Sequence, residues 1–70
     1  MIDIMTLNRM YENNADVEIT CTDGQVIIGE IVSIDDEEES RLGEIGCSLF
    51  TPYGALVGIG LSEIQSIRNI

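Results

Sequence analysis

The chain has 70 residues, 44% of them apolar, and carries thirteen acidic residues against three basic ones, for a formal charge of −10 at pH 7. That length makes one small domain, which buries only about 60% of the surface its unfolded form exposes, and the apolar fraction is more than a small monomer hides well, so a homo-oligomer is expected. The charge repels phosphate backbones, which disfavours nucleic acid and favours basic or electropositive partners, although it also serves plain solubility.

Residues 3–13 predict a short helix, with Ile4, Leu7 and Tyr11 on one side and Met10 flanking them. Asn13-Asn14 tolerates a left-handed conformation and stops it. A helix this short is marginal alone, so it is expected to lie over the rest of the domain. From Asp16 the period becomes two: Val17, Ile19 and Cys21 face one way, while Glu18, Thr20 and Thr22 face the other. Asp23-Gly24 then supplies the positive-φ residues of a tight hairpin. In the run from Gln25 to Ile34, Ile27, Ile31 and Ile34 are expected inward, and Val26, Ile28 and Val32 on the opposite side. Gly29 in the middle of that run predicts a bulge or sharp bend.

Residues 35–44, DDEEESRLGE, are polar and lack apolar periodicity, so they read as a mobile connection. Ile45 to Phe50 predicts a third strand with Phe50 in the core, Thr51-Pro52-Tyr53-Gly54 a type I turn, and Ala55 to Gly60 a fourth strand. After a short turn at Leu61-Ser62-Glu63, Ile64 to Ile70 predicts a last strand that returns to pair with the first. The fold class that follows is mainly β: a small SH3-like antiparallel barrel of five strands with a short N-terminal helix, one domain over residues 1–70.

The segment DGQVIIGEIVSID, Asp23 to Asp35, resembles the first motif of the Sm-like (LSm and bacterial Hfq-type) barrel family. Asp23 and Gly24 take its turn, Gly29 its bend, Ile27 and Ile31 its core and Asp35 its terminal acid; LVGIGLSEIQSI matches the second motif in outline. The resemblance implies the fold and a tendency to form rings. In that family an aromatic or similar residue and an asparagine after the first motif, with an Arg-Gly or comparable pair in the second, hold RNA. Here those places read Asp36 to Glu39 and Gly60-Leu61, so stacking platforms and phosphate neutralisation are both missing.

Catalysis and metal binding find little footing. There is no histidine, Cys21 and Cys47 lack CxxC spacing, and no glycine-rich phosphate loop precedes a helix, so no catalytic residue, metal ligand or cofactor is expected. Five carboxylates in a row could attract Ca²⁺ or Mg²⁺, but the D-x-D-x-D-G loop is absent, and a solvated, self-repelling segment is the expectation. The segment MIDIMTLNRM lacks the basic start and apolar stretch of a signal peptide, and no apolar run reaches the about 18 residues of a membrane span, so a reducing cytoplasm is expected and no membrane partner.

The expected role is a non-catalytic, self-assembling protein-interaction or scaffold module. Self-association would run through Val57, Ile59, Ile64, Ile67 and Ile70, the last two strands pairing between copies. A basic protein partner would meet the acidic loop, Asp35, Asp36, Glu37, Glu38 and Glu39, with Tyr53 as an exposed contact at a turn tip. Two alternatives remain open: RNA binding on a ring face where Arg9, Arg41 or Arg68 from several copies converge, and an acidic inhibitor that occupies another protein's nucleic-acid groove.

Overall fold

The computed structural model describes residues 2–13, 16–40 and 42–70. Helix α1 (Ile4–Glu12) starts where Asp3 accepts hydrogen bonds from the Thr6 N–H and Thr6 Oγ1, both at 2.8 Å, which satisfies an otherwise unpaired helix-terminal donor. Leu7 is fully buried and Ile4 and Met10 half-buried, so the inward face is the Ile4, Leu7, Met10 stripe, and Tyr11 lies at its exposed border instead of within it. At the C-terminal end Asn13 keeps right-handed helical dihedrals (φ −73°, ψ −13°), not the left-handed cap its residue type allows; Asn14 lies outside the described residues.

Five antiparallel strands follow: β1 (Asp16–Cys21), β2 (Val26–Asp35), β3 (Gly46–Phe50), β4 (Leu56–Gly60) and β5 (Ile64–Asn69). They form one sheet in the order β4-β3-β2-β1-β5, with the last strand returning to the first as expected. Val17, Ile19, Cys21, Ile31, Cys47, Leu49, Ile59 and Ile64 join Leu7 in a single core cluster to which all five strands and α1 contribute. A ladder whose inward residues all meet in one cluster is how so short a chain assembles an apolar interior.

The two hairpins share one geometry. In the first, the Cys21 N–H donates to the Gln25 carbonyl (2.7 Å) and the Gly24 N–H to the Cys21 carbonyl (3.0 Å). In the second, Thr51 and Ala55 take the same roles (2.9 Å), as do Gly54 and Thr51 (3.0 Å). Gly24 and Gly54, at φ +94° and +84°, occupy the left-handed position each turn requires.

Gly29 does not carry a bulge. It stays in register opposite Val17, and a Cβ there would lie 2.5 Å from the Phe50 carbonyl oxygen, so it permits a close backbone approach. The irregularity of β2 falls at Val32, between the pairs Ile31–Leu49 and Ser33–Ser48. Phe50 is also not in the core. Cys47 and Leu49 point inward, so the period of two turns Phe50 outward, where it is 49% exposed.

The expected mobile connection contains a helical turn, α2 (Glu37–Ser40). Asp36 Oδ1 accepts from the N–H groups of Glu38 (3.0 Å) and Glu39 (2.9 Å), and the Ser40 N–H donates to the Asp36 carbonyl (3.0 Å). An aspartate ahead of three glutamates is a helix-start pattern that local charge repulsion does not overcome.

Candidate interaction surfaces

Sheet order places β4 and β5 at the two edges. Among the described residues no ladder pairs β4 with β5, and each is paired along one side only, β4 with β3 and β5 with β1. None of the thirteen acidic residues lies on either strand: β4 reads LVGIG and β5 reads IQSIRN. The single charge, Arg68, pairs with Glu18 of β1, Nε to Oε1 at 2.9 Å.

The five residues assigned to self-association do not all face a partner. Ile59 and Ile64 are core residues, 2% and 0% exposed, so only their backbone can serve an edge joint. Strand alternation explains this, since the apolar residues that define each strand are the ones turned inward. Val57 and Ile67 are half-buried against the core and Ile70 is 60% exposed. The outward residues of β4 are Leu56, 65% exposed, and Gly58, where a Cβ would meet nothing within 4 Å. A groove of about 300 Å³ runs beside this edge, lined by Thr22, Asp23, Ile27, Val57, Gly58 and Glu63 among others.

The turn between the edges is a short 3₁₀ segment, Leu61–Glu63, held by two carboxylates. Glu44 accepts from the Ser62 N–H (2.8 Å) and Oγ (2.6 Å), and these bonds hold its carboxyl below the usual range. Glu63 Oε2 accepts from the Gly60 N–H (3.1 Å), and the Leu61 N–H donates to the Ile45 carbonyl (2.9 Å). Glu44, which nothing local in the sequence ties to Ser62, thus helps to hold the turn between β4 and β5.

The acidic run divides into three environments. Asp35 ends β2, half-buried, with Oδ2 accepting from Ser33 Oγ and Ser48 Oγ at 3.4 Å each, so it is not part of an outward loop. Asp36 is the α2 cap, and its bond to the Glu39 N–H lowers its carboxyl. Glu37, Glu38 and Glu39 are exposed, and the nearby Asp36 charge raises Glu39.

Tyr53 is 93% exposed at the β3–β4 turn tip. Of the arginines, Arg9 is exposed in the last turn of α1, Arg68 sits on the outer face of β5, and Arg41 lies outside the described residues.

The chain matches no family model, no curated protein and no solved structure.

Both thiols are free and buried. Burial, followed by the Asp35 charge, pushes Cys47 up to about 11; burial also raises Cys21, with Asp23 and Glu63 adding to it. Such thiols stay protonated near neutral pH and make poor nucleophiles. Among the described residues, no group of three or more Cys, Asp or Glu side chains is placed to hold a metal ion, and no helix is long and apolar enough to cross a membrane.

Proposed function

We propose that the chain is a non-catalytic interaction module of the Sm-like kind that assembles with itself through its sheet edges. The observation that carries this reading is the pair of uncapped edges: in a chain of charge −10, the two strands with open main-chain groups hold no carboxylate and no proline. Soluble proteins blunt exposed edges with charge, proline or a covering element, so two unprotected edges point to use. Strand β4 of one copy adds to β5 of the next, a head-to-tail contact that closes into a ring when its rotation closes. Arg68, already paired with Glu18, sits on the joining strand without an unneutralised charge.

Glu37, Glu38 and Glu39, exposed on α2, are then available to a basic protein partner, as in a scaffold. The absence of histidine, the raised thiols and the undivided core suit binding over catalysis, and two free cysteines suit a reducing, cytoplasmic setting.

The test is solution mass by light scattering on a size-exclusion column, with a U-rich oligonucleotide in a parallel run. A discrete multiple of 7.7 kDa that ignores the oligonucleotide is expected. A monomer at every concentration overturns the assembly, and co-migration with the oligonucleotide replaces the scaffold reading with an RNA-binding one. Ile67→Asp should dissolve the assembly; because Ile67 also packs on the core, Gly58→Lys provides the same test where a side chain has open space.

A further inference from the structure

The outer face of the sheet is a second surface, built from side chains and separate from the main-chain edges. Along β2, Val26, Ile28 and Val32 point outward at 55%, 41% and 42% exposure, with Glu30 between them. Register places Glu30 beside Phe50, and Phe50 beside Leu56, 49% and 65% exposed. Beside the start of β2, Pro52 and Tyr53 join Val26, Ile27, Ile28 and Thr51 in lining an open recess of about 240 Å³. Exposed apolar groups this closely grouped are uncommon on a small soluble domain and mark a contact surface.

The border of the patch says what covers it. Across β1, Thr20 lies opposite Val26, Glu18 opposite Ile28 and Asp16 opposite Glu30, so one flank is edged with carboxylates. Arg68 neutralises Glu18, and among the described residues no cation pairs with Asp16 or Glu30. A second copy laid on this face would bring its own Asp16, Glu18 and Glu30 against the first set, inside a total charge of −10 on each copy. A segment carrying arginine or lysine next to large apolar residues meets both halves: its apolar side chains fill the recess and cover Phe50, and its cations sit over Asp16 and Glu30.

We infer that the outer face of β1, β2 and β3 docks a basic, apolar segment of a partner protein, with Ile28, Phe50 and Tyr53 as the apolar anchors and Asp16 and Glu30 as the charge partners. The inference does not rest on edge assembly, because it uses outward side chains and leaves the main-chain groups of β4 and β5 untouched.

The probe is a synthetic amphipathic peptide of Leu, Phe and Arg, titrated into the isotope-labelled full chain, with a control peptide in which Ser replaces Leu and Phe. Amide shifts should cluster at residues 26–30 and 50–53, and the control peptide should bind about tenfold more weakly or worse. The double variants Ile28→Thr/Phe50→Thr and Asp16→Asn/Glu30→Gln should each weaken the probe about tenfold, whereas Glu37→Gln/Glu38→Gln, which removes the same charge elsewhere, should change it less than about twofold. Shifts confined to residues 36–39, equal weakening by the Glu37/Glu38 pair, or no binding of the probe would each overturn the inference. So would a fall in solution mass caused by Ile28→Thr/Phe50→Thr, since that outcome assigns the face to a second copy.

Discussion

The edges of the sheet and the acidic segment that leads out of β2 treat charge in opposite ways. Residues 35–39 concentrate five of the thirteen carboxylates, yet each has a settled place: Asp35 bonded to two serines, Asp36 as a cap, and three glutamates in water. Strands β4 and β5 are each paired along one side only and have no carboxylate among their residues. On the proposed assembly the joining surface is marked by the local absence of charge and not by its density, because an edge must be free of repulsion before another strand can add to it.

The comparison breaks most visibly within β4 itself. Ile59 faces the core and Gly58 faces open space, so adjacent residues should separate folding from assembly. Ile59→Ala should cost about 3 kcal/mol by urea unfolding, from lost burial plus a residual cavity. Gly58→Lys should leave the monomer's stability within about 0.5 kcal/mol while lowering the solution mass towards 7.7 kDa, since a charged side chain on an edge strand opposes the addition of another strand. If Gly58→Lys keeps the oligomer intact, the joint is elsewhere.

A smaller effect is expected from the acidic segment. Glu37→Gln/Glu38→Gln/Glu39→Gln should leave the mass unchanged at all salt concentrations, and dissociation on making it would move the joint to α2. Finer still is the coupling between Asp36 and Glu39. Asp36 is held below 3.8 by its bonds to backbone N–H groups, and Glu39 is raised above 4.5 chiefly by the Asp36 charge. Asp36→Asn should therefore bring Glu39 back down in a carboxyl-carbon NMR titration; an unmoved Glu39 would show that the Asp36 charge does not act on it.

The signs of the pH dependence follow. Asp3, Asp36 and Glu44 are all depressed by hydrogen bonds to the ionised form, from Thr6, Glu39 and Ser62 respectively. What they contribute to stability is complete above the ordinary values of 3.8 and 4.5 and is lost as the pH falls through the lower folded values. Glu39 acts oppositely: its contribution is present below 4.5 and lost as the pH rises. The Glu44–Ser62 clasp should therefore open in acid, read as loss of protection at the Ser62 amide ahead of the β1 and β2 amides. Simultaneous loss would mean that the turn has no stability of its own.

Period-two alternation made most of the fold legible: Val17, Ile19 and Ile31 announced the inward face, and Asp23-Gly24 and Pro52-Tyr53-Gly54 the turns. Phe50 and Tyr11 misled because large aromatic side chains suggest burial more strongly than their phase in the strand or helix permits. The acidic helical turn was hidden because repulsion among glutamates is conspicuous in sequence and a single aspartate cap is not. The surfaces were only half legible. Ile59 and Ile64 drew attention by being apolar, whereas the outward positions are Leu56 and Gly58, and the Glu44–Ser62 contact spans a separation no local pattern encodes.

The most direct test of the central claim is an isotope-filtered NOE experiment on mixed labelled and unlabelled chains. The account predicts intermolecular contacts between residues 56–60 of one copy and 64–69 of another, lost in Gly58→Lys. Intermolecular contacts that avoid both edges, or none at concentrations where wild type is fully folded, would contradict it.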